Sequence, residues 1–388
     1  MLVPLSYNLR SLLVRRSATL LTVLGIAATV AVLAGFLALR GGFESLYTTG
    51  GRSDVVIFLR PGSTSEGESS FPRERADRLI KTLPEIAPDE SGQPLAAMET
   101  YLAVRRNKAG GGGETNVPIR GIQPASLKLR DRLRIAEGRM LQFGSDEVVV
   151  GRKLTERIEN CRVGDVIQLN TTPFRVVGVL ECPGAFESEI WGDFERMSVA
   201  LAMPWASAVT ARLAPDVDVA ALSRRLEDDK EVPAKVLTER AYLLSMTQML
   251  GGLLAVVGGI LGAVMGLAAV FTAMNTMLSA LAARTHEVGI LLSLGFRPLP
   301  IFLSFLLEAV LLGLAGGVLG CLIAVPLHGV ETGTTNFNTF TEVAFAFQLT
   351  PPVLLTAAIF SVLLGLLGGA IPAWRAARLE PTEALRRR

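Results

Sequence analysis

The sequence predicts a membrane α-helical protein with four transmembrane helices, one followed by three, and a large extracytoplasmic α+β domain. Four stretches carry this prediction because they are free of charge or nearly so: 17–39, 241–283, 298–330 and 343–374. Each exceeds the ~20 apolar residues, rising ~1.5 Å per residue, that cross a bilayer core of ~30 Å. The polar stretch 41–240 separates the first from the other three and is long enough to fold as a domain.

Composition excludes several classes of function. The chain has 388 residues and a net charge of +2, so we predict no nucleic-acid partner. Its two histidines, His286 and His328, lie on different segments and leave little material for a metal site. The insertion also lacks a recognisable pairing of nucleophile and base. We therefore predict no catalytic residue, no metal and no cofactor bound by this chain.

Arginines flanking the spans predict the orientation. They occur before the first span, in the link 284–297 and in the tail 375–388, whereas the loop 327–350 carries acids without Lys or Arg. Because positive loops stay inside, we expect a multi-pass protein of the inner (plasma) membrane with both termini cytoplasmic. The first span, 17–40, is predicted to be an uncleaved helix, since its apolar stretch is longer than that of a signal peptide.

The remaining segments follow from length and pattern. Leucines at helical spacing in 1–16 indicate an amphipathic helix at the inner interface, with a simple charged flank as the alternative. As a single helix, 241–283 would reach ~65 Å, about twice the bilayer core, so it is predicted to combine a stalk with the second span. We then expect a cytoplasmic segment at 284–297, spans at 298–326 and 351–374 joined by the short outer loop 327–350, and a cytoplasmic tail.

The domain at 41–240 alternates β-rich runs with helical patterns. Strand–helix–strand patterns at both of its ends flank a β-rich middle, which predicts an α+β domain with a smaller inserted subdomain. The glycine run 110–113 is read as a hairpin tip, because the Lys and Ser/Thr of a phosphate-binding loop do not follow it. The expected strands are 54–60, 95–105, 116–121, 147–150, 165–169, 174–180, 207–213 and 232–237, and the expected helices are 72–83 and 219–226.

Glycines recur at four-residue spacing in three of the spans. Small residues on one face let helix backbones approach closely where lipid gives no hydrophobic drive for association. These ridges are expected to pack either within the chain or against another subunit. They are Gly258, Gly262 and Gly266; Gly313 and Gly317; and Gly365 and Gly369.

Glu308 is the only acid inside a predicted span. An intramembrane carboxylate is costly and normally has a partner, so we expect an ion pair with Arg375 at the inner end of the fourth span, or a protonated, hydrogen-bonded acid. A proton relay is disfavoured because no second intramembrane acid or histidine continues a path.

Cys161 and Cys182 both fall in the predicted extracytoplasmic domain, where oxidation is permitted. A hairpin centred between residues 171 and 172 would place them opposite each other, with Cα atoms ~4.5–5.5 Å apart. We predict a disulfide between them, with two free thiols as the alternative.

Two motifs carry a family resemblance. After the second span the chain reads RTHEVGIL from Arg284, followed by SLGF from Ser293, and the fourth span ends in PAWRAAR from Pro372. With the 1 + 3 layout, these motifs closely resemble the MacB/FtsX-type ABC permeases, whose outer domain is a MacB-like periplasmic core domain.

The resemblance implies a permease subunit that works as a homodimer or related heterodimer with an ABC ATPase subunit. ATP would be bound by that separate subunit, and closure of the ATPases would move the outer domains, a mechanotransmission that drives export or release of lipoprotein or hydrophobic cargo. Membrane lipid and a periplasmic adaptor are the further partners it suggests. By the same resemblance, the ATPase-coupling residues are Arg284, His286, Glu287, Val288, Gly289, Ile290, Leu291, Leu294 and Gly295.

Two other functions compete with this one. A non-transporting ABC complex that transmits force to a cell-wall hydrolase has the same four spans, but its outer domain is usually smaller. An enzyme or sensor merely anchored to the membrane is disfavoured because the insertion lacks a catalytic constellation.

Overall fold

The computed structural model describes residues 16–48, 50–182, 184–336 and 341–380. The chain divides into two compact units. The membrane unit comprises Met1–Gly42, Leu253–Val330 and Ala346–Arg388, and the sheet unit comprises Phe43–Gly252 and Glu331–Phe345. The amphipathic helix predicted for 1–16 lies outside the described residues except for its last position, as does the end of the C-terminal tail.

The described residues contain nine helices and fourteen strands, besides short 3-10 turns. The helices are α1 (Arg16–Thr48), α2 (Arg73–Thr82), α3 (Pro124–Leu129), α4 (Phe194–Ala200), α5 (Val219–Glu227), α6 (Glu239–Ala283), α7 (Thr285–Ser293), α8 (Pro298–Ala324) and α9 (Pro351–Ala377). The strands are β1 (Val55–Leu59), β2 (Phe71–Pro72), β3 (Ala96–Asn107), β4 (Glu114–Ile122), β5 (Arg134–Gly138), β6 (Glu147–Gly151), β7 (Val166–Leu169), β8 (Thr172–Glu181), β9 (Ile190–Asp193), β10 (Trp205–Ala206), β11 (Ala208–Arg212), β12 (Lys235–Thr238), β13 (Glu331–Asn336) and β14 (Thr341–Ala346).

Within the described part of the chain, four helices are long and apolar enough to cross a membrane. The candidate spans are Arg16–Tyr47, Leu250–Ala283, Pro298–Leu327 and Pro351–Ala377. Together with the mixed α and β content between the first span and the second, they confirm the predicted fold class. Helix α6 is continuous over 45 residues, which corresponds to a length of ~67 Å.

The sheet unit is built on one ten-stranded mixed sheet. Its order is β12-β1-β11-β3-β4-β9-β6-β8-β5, with β7 paired to β8. Most neighbours are antiparallel, but β4 pairs with β9 and β6 with β8 in parallel. The strands expected to form a separate inserted subdomain therefore belong to the same sheet as those at both ends of the domain.

Apolar clusters cover different parts of this sheet. Helices α2 and α5 contribute Leu79 and Leu222 to a cluster with Phe58 and Val209 from the strands. Elsewhere Phe174 packs with Ile190, Val150 and Met197 of α4. Strands β1, β6, β9 and β11 are buried at nearly every position, as expected of strands covered on both faces.

The predicted disulfide is wrong. Strands β7 and β8 pair Val166 with Arg175 and Leu169 with Thr172, so the hairpin turns at residues 170–171, one position earlier than expected. Asn170 allows this tight turn by adopting a φ of +50°. Cys161 and Cys182 lie beyond the paired strands and are free, buried thiols.

The two cysteines belong to different apolar clusters. Cys161 packs with Ile158 and Ile167, and Cys182 with Phe186 and Trp191. Burial raises the pKa of the Cys161 thiol to about 12 and that of Cys182 to about 11. Both behave as small apolar packing residues.

Candidate functional site

Helix α7 occupies the link between the second and third spans. Its end is fixed by a Schellman motif: Gly295 N–H donates to Leu292 O at 3.1 Å, and Phe296 N–H donates to Leu291 O at 3.1 Å. Gly295 adopts a φ of +88°, which favours glycine at this position. Two residues after Phe296, Pro298 starts α8 at the helical position that tolerates proline best. The sequence therefore sets α7 as a short, well-terminated helix.

Arg284 begins this link and is buried. Its guanidinium donates to both oxygens of Glu308 on α8, with Nη1–Oε2 at 3.2 Å and Nη2–Oε1 at 3.5 Å. The two side chains are 9% and 4% exposed. Arg284 was predicted to contact the ATPase, but this burial instead makes it an internal tie between the start of α7 and α8.

The expected pairing of Glu308 with Arg375 is therefore incorrect. On α9 the buried positions near this end are Pro372, Ala373 and Ala376, whereas Arg375 is exposed. Glu308 and Arg375 were paired by their depth along the two spans, but Glu308 lies on a buried face of α8 and Arg375 on an exposed face of α9.

One side of α7 packs into the membrane unit. Val288 is 3% exposed and lies in an apolar cluster with Met277, Phe305 and Ala373, while Gly289 is also buried. Val288 and Gly289 were predicted to contact the ATPase, and their burial excludes them from a surface contact. Each belongs instead to the packing that seats α7 on its own chain.

The other side of α7 is exposed. His286, Ile290 and Leu294 lie four residues apart and Glu287 lies beside them; Ile290 is 42% and Leu294 72% exposed. Leu291 is half-buried. We call His286, Glu287, Ile290 and Leu294 the α7 face: two apolar side chains next to an acid and a histidine, a combination suited to contact with another protein.

The glycines of α8 and α9 face each other within the chain. A methyl group at Gly313 would lie 2.6 Å from Ser361 O, and one at Gly365 would lie 2.5 Å from Ala309 O. Methyl groups at Gly317 and Gly369 would come within 2.2 Å of the side chains of Ser361 and Ala309. Only glycine allows this approach of the two backbones.

The α6 glycines pack less tightly. Methyl groups at Gly258, Gly262 and Gly266 would lie 3.3, 3.5 and 3.2 Å from side chains of α1 or α9. The predicted ridges did not include Gly316 and Gly320. A methyl group added at Gly316 would lie 2.6 Å from Ile26, and one added at Gly320 would lie 2.7 Å from Ala27 O, both on α1. Because Gly316 and Gly317 are adjacent, α8 approaches α1 closely on one side and α9 closely on the other.

The sheet unit holds a buried charge cluster that sequence reasoning missed. Arg120 of β4 donates from Nε to Glu189 at 2.7 Å, and from Nη1 to Glu66 at 2.7 Å and to Glu99 at 2.8 Å. Arg130 donates to both oxygens of Glu99, at 2.6 and 2.8 Å. Each of these five side chains is under 7% exposed. We call them the arginine cluster.

Charge and aromatic contacts hold this cluster together. Burial alone would raise the pKa of Glu99, but Arg130 and Arg120 outweigh it and lower that pKa to about 2. The guanidinium of Arg120 lies 5.1 Å from the ring centroid of Tyr101, and Trp191 Nε1 donates to Glu189 at 2.7 Å. A cavity of about 40 Å³ borders the cluster. All three carboxylates are paired with a guanidinium, so the arrangement is a structural core rather than a reactive centre, although Arg130 Nε has no hydrogen-bond partner among the described residues.

The family of this chain follows from its similarity to known proteins. Residues 19–229 match the family described as the MacB-like periplasmic core domain, and 243–381 match the FtsX-like permease C-terminal family. The chain belongs to the MacB/FtsX-type ABC permease family. It is 27% identical over 394 residues to the macrolide export ATP-binding/permease protein MacB of Agrobacterium fabrum, covering 95% of this chain and 58% of that protein.

Other relatives share this coverage. The pyoverdine export ATP-binding/permease protein PvdT of Pseudomonas fluorescens is 27% identical over 97% of this chain and 58% of its own length. The chain thus spans less than two thirds of these relatives. Among solved structures, the extracellular domain of the noncanonic ABC-type transporter YknZ from Gram-positive bacteria aligns with a TM-score of 0.35 and 16% identity, covering 47% of this chain and 99% of that domain.

Proposed function

We propose that this MacB/FtsX-type protein is the permease subunit of an ABC transporter whose ATP hydrolysis takes place on a separate ABC ATPase. Family membership supports this, and the α7 face is the single observation that carries it. Helix α7 lies on a short link between two spans, on the side of the membrane that the arginine count assigns to the cytoplasm. Both termini would lie on that side, and the chain itself would bind no cofactor.

The geometry of α7 gives a route for the coupling. The ATPase would contact the α7 face, with Ile290 and Leu294 supplying apolar area and Glu287 a charged hydrogen bond. On the opposite side, Val288 packs against residues of α6, α8 and α9, and Arg284 is tied to Glu308 of α8. Displacement of α7 would therefore move the ends of three spans together, since packed helices shift as units.

The cargo and remaining partners are proposed from the relatives. Two of them are named as exporters of macrolide and of pyoverdine. We propose that this protein exports a small molecule or releases hydrophobic cargo outside the cytoplasm, as a homodimer or as a heterodimer with a related permease. Movements of its extracytoplasmic domain would drive that step.

The test combines Ile290→Asp with Leu294→Asp in the full chain, co-expressed with the ABC ATPase that copurifies with the wild-type chain. Two carboxylates in an apolar interface would weaken binding at least tenfold, or ~1.4 kcal/mol. Copurification of the ATPase and the ATPase rate per complex are measured. Val199→Asp is the control, because Val199 is a 73% exposed valine of the sheet unit. Wild-type copurification in the double variant would refute docking on the α7 face.

A further inference from the structure

The loop between α8 and α9 ends in a strand with an unusual anchor. Glu342 of β14 is 14% exposed and accepts from three donors of the sheet unit. Lys108 Nζ lies 2.7 Å from Oε2, Thr115 Oγ1 donates to Oε2 at 2.6 Å, and Arg157 Nη2 bonds Oε1. Two cations and a hydroxyl converge on one carboxylate, which makes these charge-assisted hydrogen bonds short and directional. We call these four residues the Glu342 clasp.

The rest of β14 is embedded in the same unit. Thr341, Val343, Ala344 and Phe345 are each at most 3% exposed. Ala344 N–H donates to Ser188 Oγ at 3.4 Å, and the ring of Phe345 packs edge-on against Phe43 with centroids 5.5 Å apart. A strand buried to this degree is a part of the core of the sheet unit.

The neighbouring strand is shaped around the clasp. A methyl group at Gly333 of β13 would lie 2.2 Å from Arg157 Nη2 and 2.8 Å from Glu342 Oε1. Glycine at this position therefore lets the guanidinium of Arg157 reach Glu342. Burial alone would raise the pKa of Glu342, but the hydrogen bonds from Lys108, Thr115 and Arg157 outweigh it and lower the pKa, so the carboxylate is ionised at neutral pH.

The clasp matters because of how the chain connects the two units. The segment Glu331–Phe345 belongs to the sheet unit, while the residues before and after it, including α8 and α9, belong to the membrane unit. Helices α1 and α6 also run from one unit into the other. The sheet unit is thus attached to the spans through three segments, and the third is held by side chains rather than by a continuous helix.

We propose that Glu342 is a positioning residue, and that the Glu342 clasp makes the β13–β14 hairpin a third attachment through which displacement of α8 and α9 moves the sheet unit. This inference rests on the proposed function, because an ATPase must supply the displacement. With the clasp intact, movement reaches the domain through α1, α6 and the hairpin. Without it, the hairpin keeps only its apolar contacts and the hydrogen bond to Ser188, and it transmits α8–α9 displacement to the domain less completely.

The experiment uses the full chain in nanodiscs with its ABC ATPase and follows hydrogen–deuterium exchange with and without ATP and vanadate. In Glu342→Gln we expect at least tenfold faster exchange in residues 341–346 and loss of at least half of the nucleotide-dependent change in the β3–β4 region. Copurification and basal ATPase rate stay at wild-type levels. Glu331→Gln is the matched control, an exposed glutamate of the same hairpin, and should behave as wild type.

A second, milder variant keeps the test decisive if Glu342→Gln fails to fold. Thr115→Val removes one of the three donors at little change in volume and should give an intermediate effect. Unchanged exchange and nucleotide response in both Glu342→Gln and Thr115→Val, in a complex that hydrolyses ATP, would overturn the clasp while leaving the proposed function intact. Failure of the wild-type chain to bind any ABC ATPase or to respond to nucleotide would instead overturn the proposed function.

Discussion

Two buried arginine–glutamate arrangements differ in how closely their charges are held. In the sheet unit Arg120 makes five contacts of 2.7–3.1 Å with three carboxylates. In the membrane unit the contacts between Arg284 and Glu308 are 3.2 and 3.5 Å. Many short bonds fix one geometry, whereas a longer bidentate pair has room to tighten or part when the helices shift. The first arrangement suits a rigid domain, and we expect the second to be the more easily displaced of the two.

The largest effect is expected from Arg120→Met. It leaves Glu66, Glu99 and Glu189 buried without the guanidinium that joins them, a loss of roughly 3–5 kcal/mol. Thermal unfolding of the detergent-purified protein measures it. The control is Arg78→Met, since the pair of Arg78 and Glu231 is 58% and 73% exposed and worth at most ~1 kcal/mol. Equal losses in the two variants would mean that the arginine cluster does not rigidify the domain.

A smaller effect is expected from Arg284→Met, at the lower end of the same range, ~3 kcal/mol, because its contacts are longer. Adding Glu308→Met should restore most of the stability, since an apolar pair replaces a buried ion pair at little cost. Stimulation of the ATPase by the permease should stay low in the double variant if the pair acts in coupling. Recovery of stability and stimulation together would reduce the pair to a packing role.

The smallest effect is a change in the pH dependence of stability. The pKa of Glu99 falls from an ordinary 4.5 to about 2 in the folded protein. Its contribution is therefore complete above pH 4.5 and is lost as the pH falls toward 2. Glu99→Gln should be less stable at neutral pH and show a shallower loss of stability between pH 4.5 and 2, followed by the fluorescence of the buried Trp191. An unchanged slope would show that other carboxylates govern the acid response.

Local pattern was sufficient for most elements of the fold. The apolar run of β1, the amphipathic α2 and α5 and the four spans can be recognised from consecutive residues, and most bounds agree within a few positions. The exception is α1, which was predicted to end at residue 40 and continues to Thr48. Strands β5, β9, β13 and β14 were missed: β9 has only four residues, and β13 and β14 lie in the stretch 327–350 that was read as a short loop. In β5 most positions are exposed.

Partners across the fold could not be predicted. Arg120 stands in an ordinary strand, and its partners Glu66, Glu99 and Glu189 are 54, 21 and 69 residues away. Arg284 was assigned to a surface by resemblance, yet its burial depends on which face of the link meets α8. The disulfide failed for a related reason, since a turn one residue earlier changes every opposing pair in a hairpin.

The embedded β14 strand also has a bearing on how the extracytoplasmic domain is isolated. A soluble fragment cut at Phe43–Gly252 would be missing a piece of its own interior. Lys108 and Arg157 would lose the Glu342 carboxylate, and the ring of Phe43 would lose its Phe345 neighbour. Fusing residues 331–345 to the fragment through a flexible linker, or supplying them as a synthetic peptide, would complete the domain by complementation.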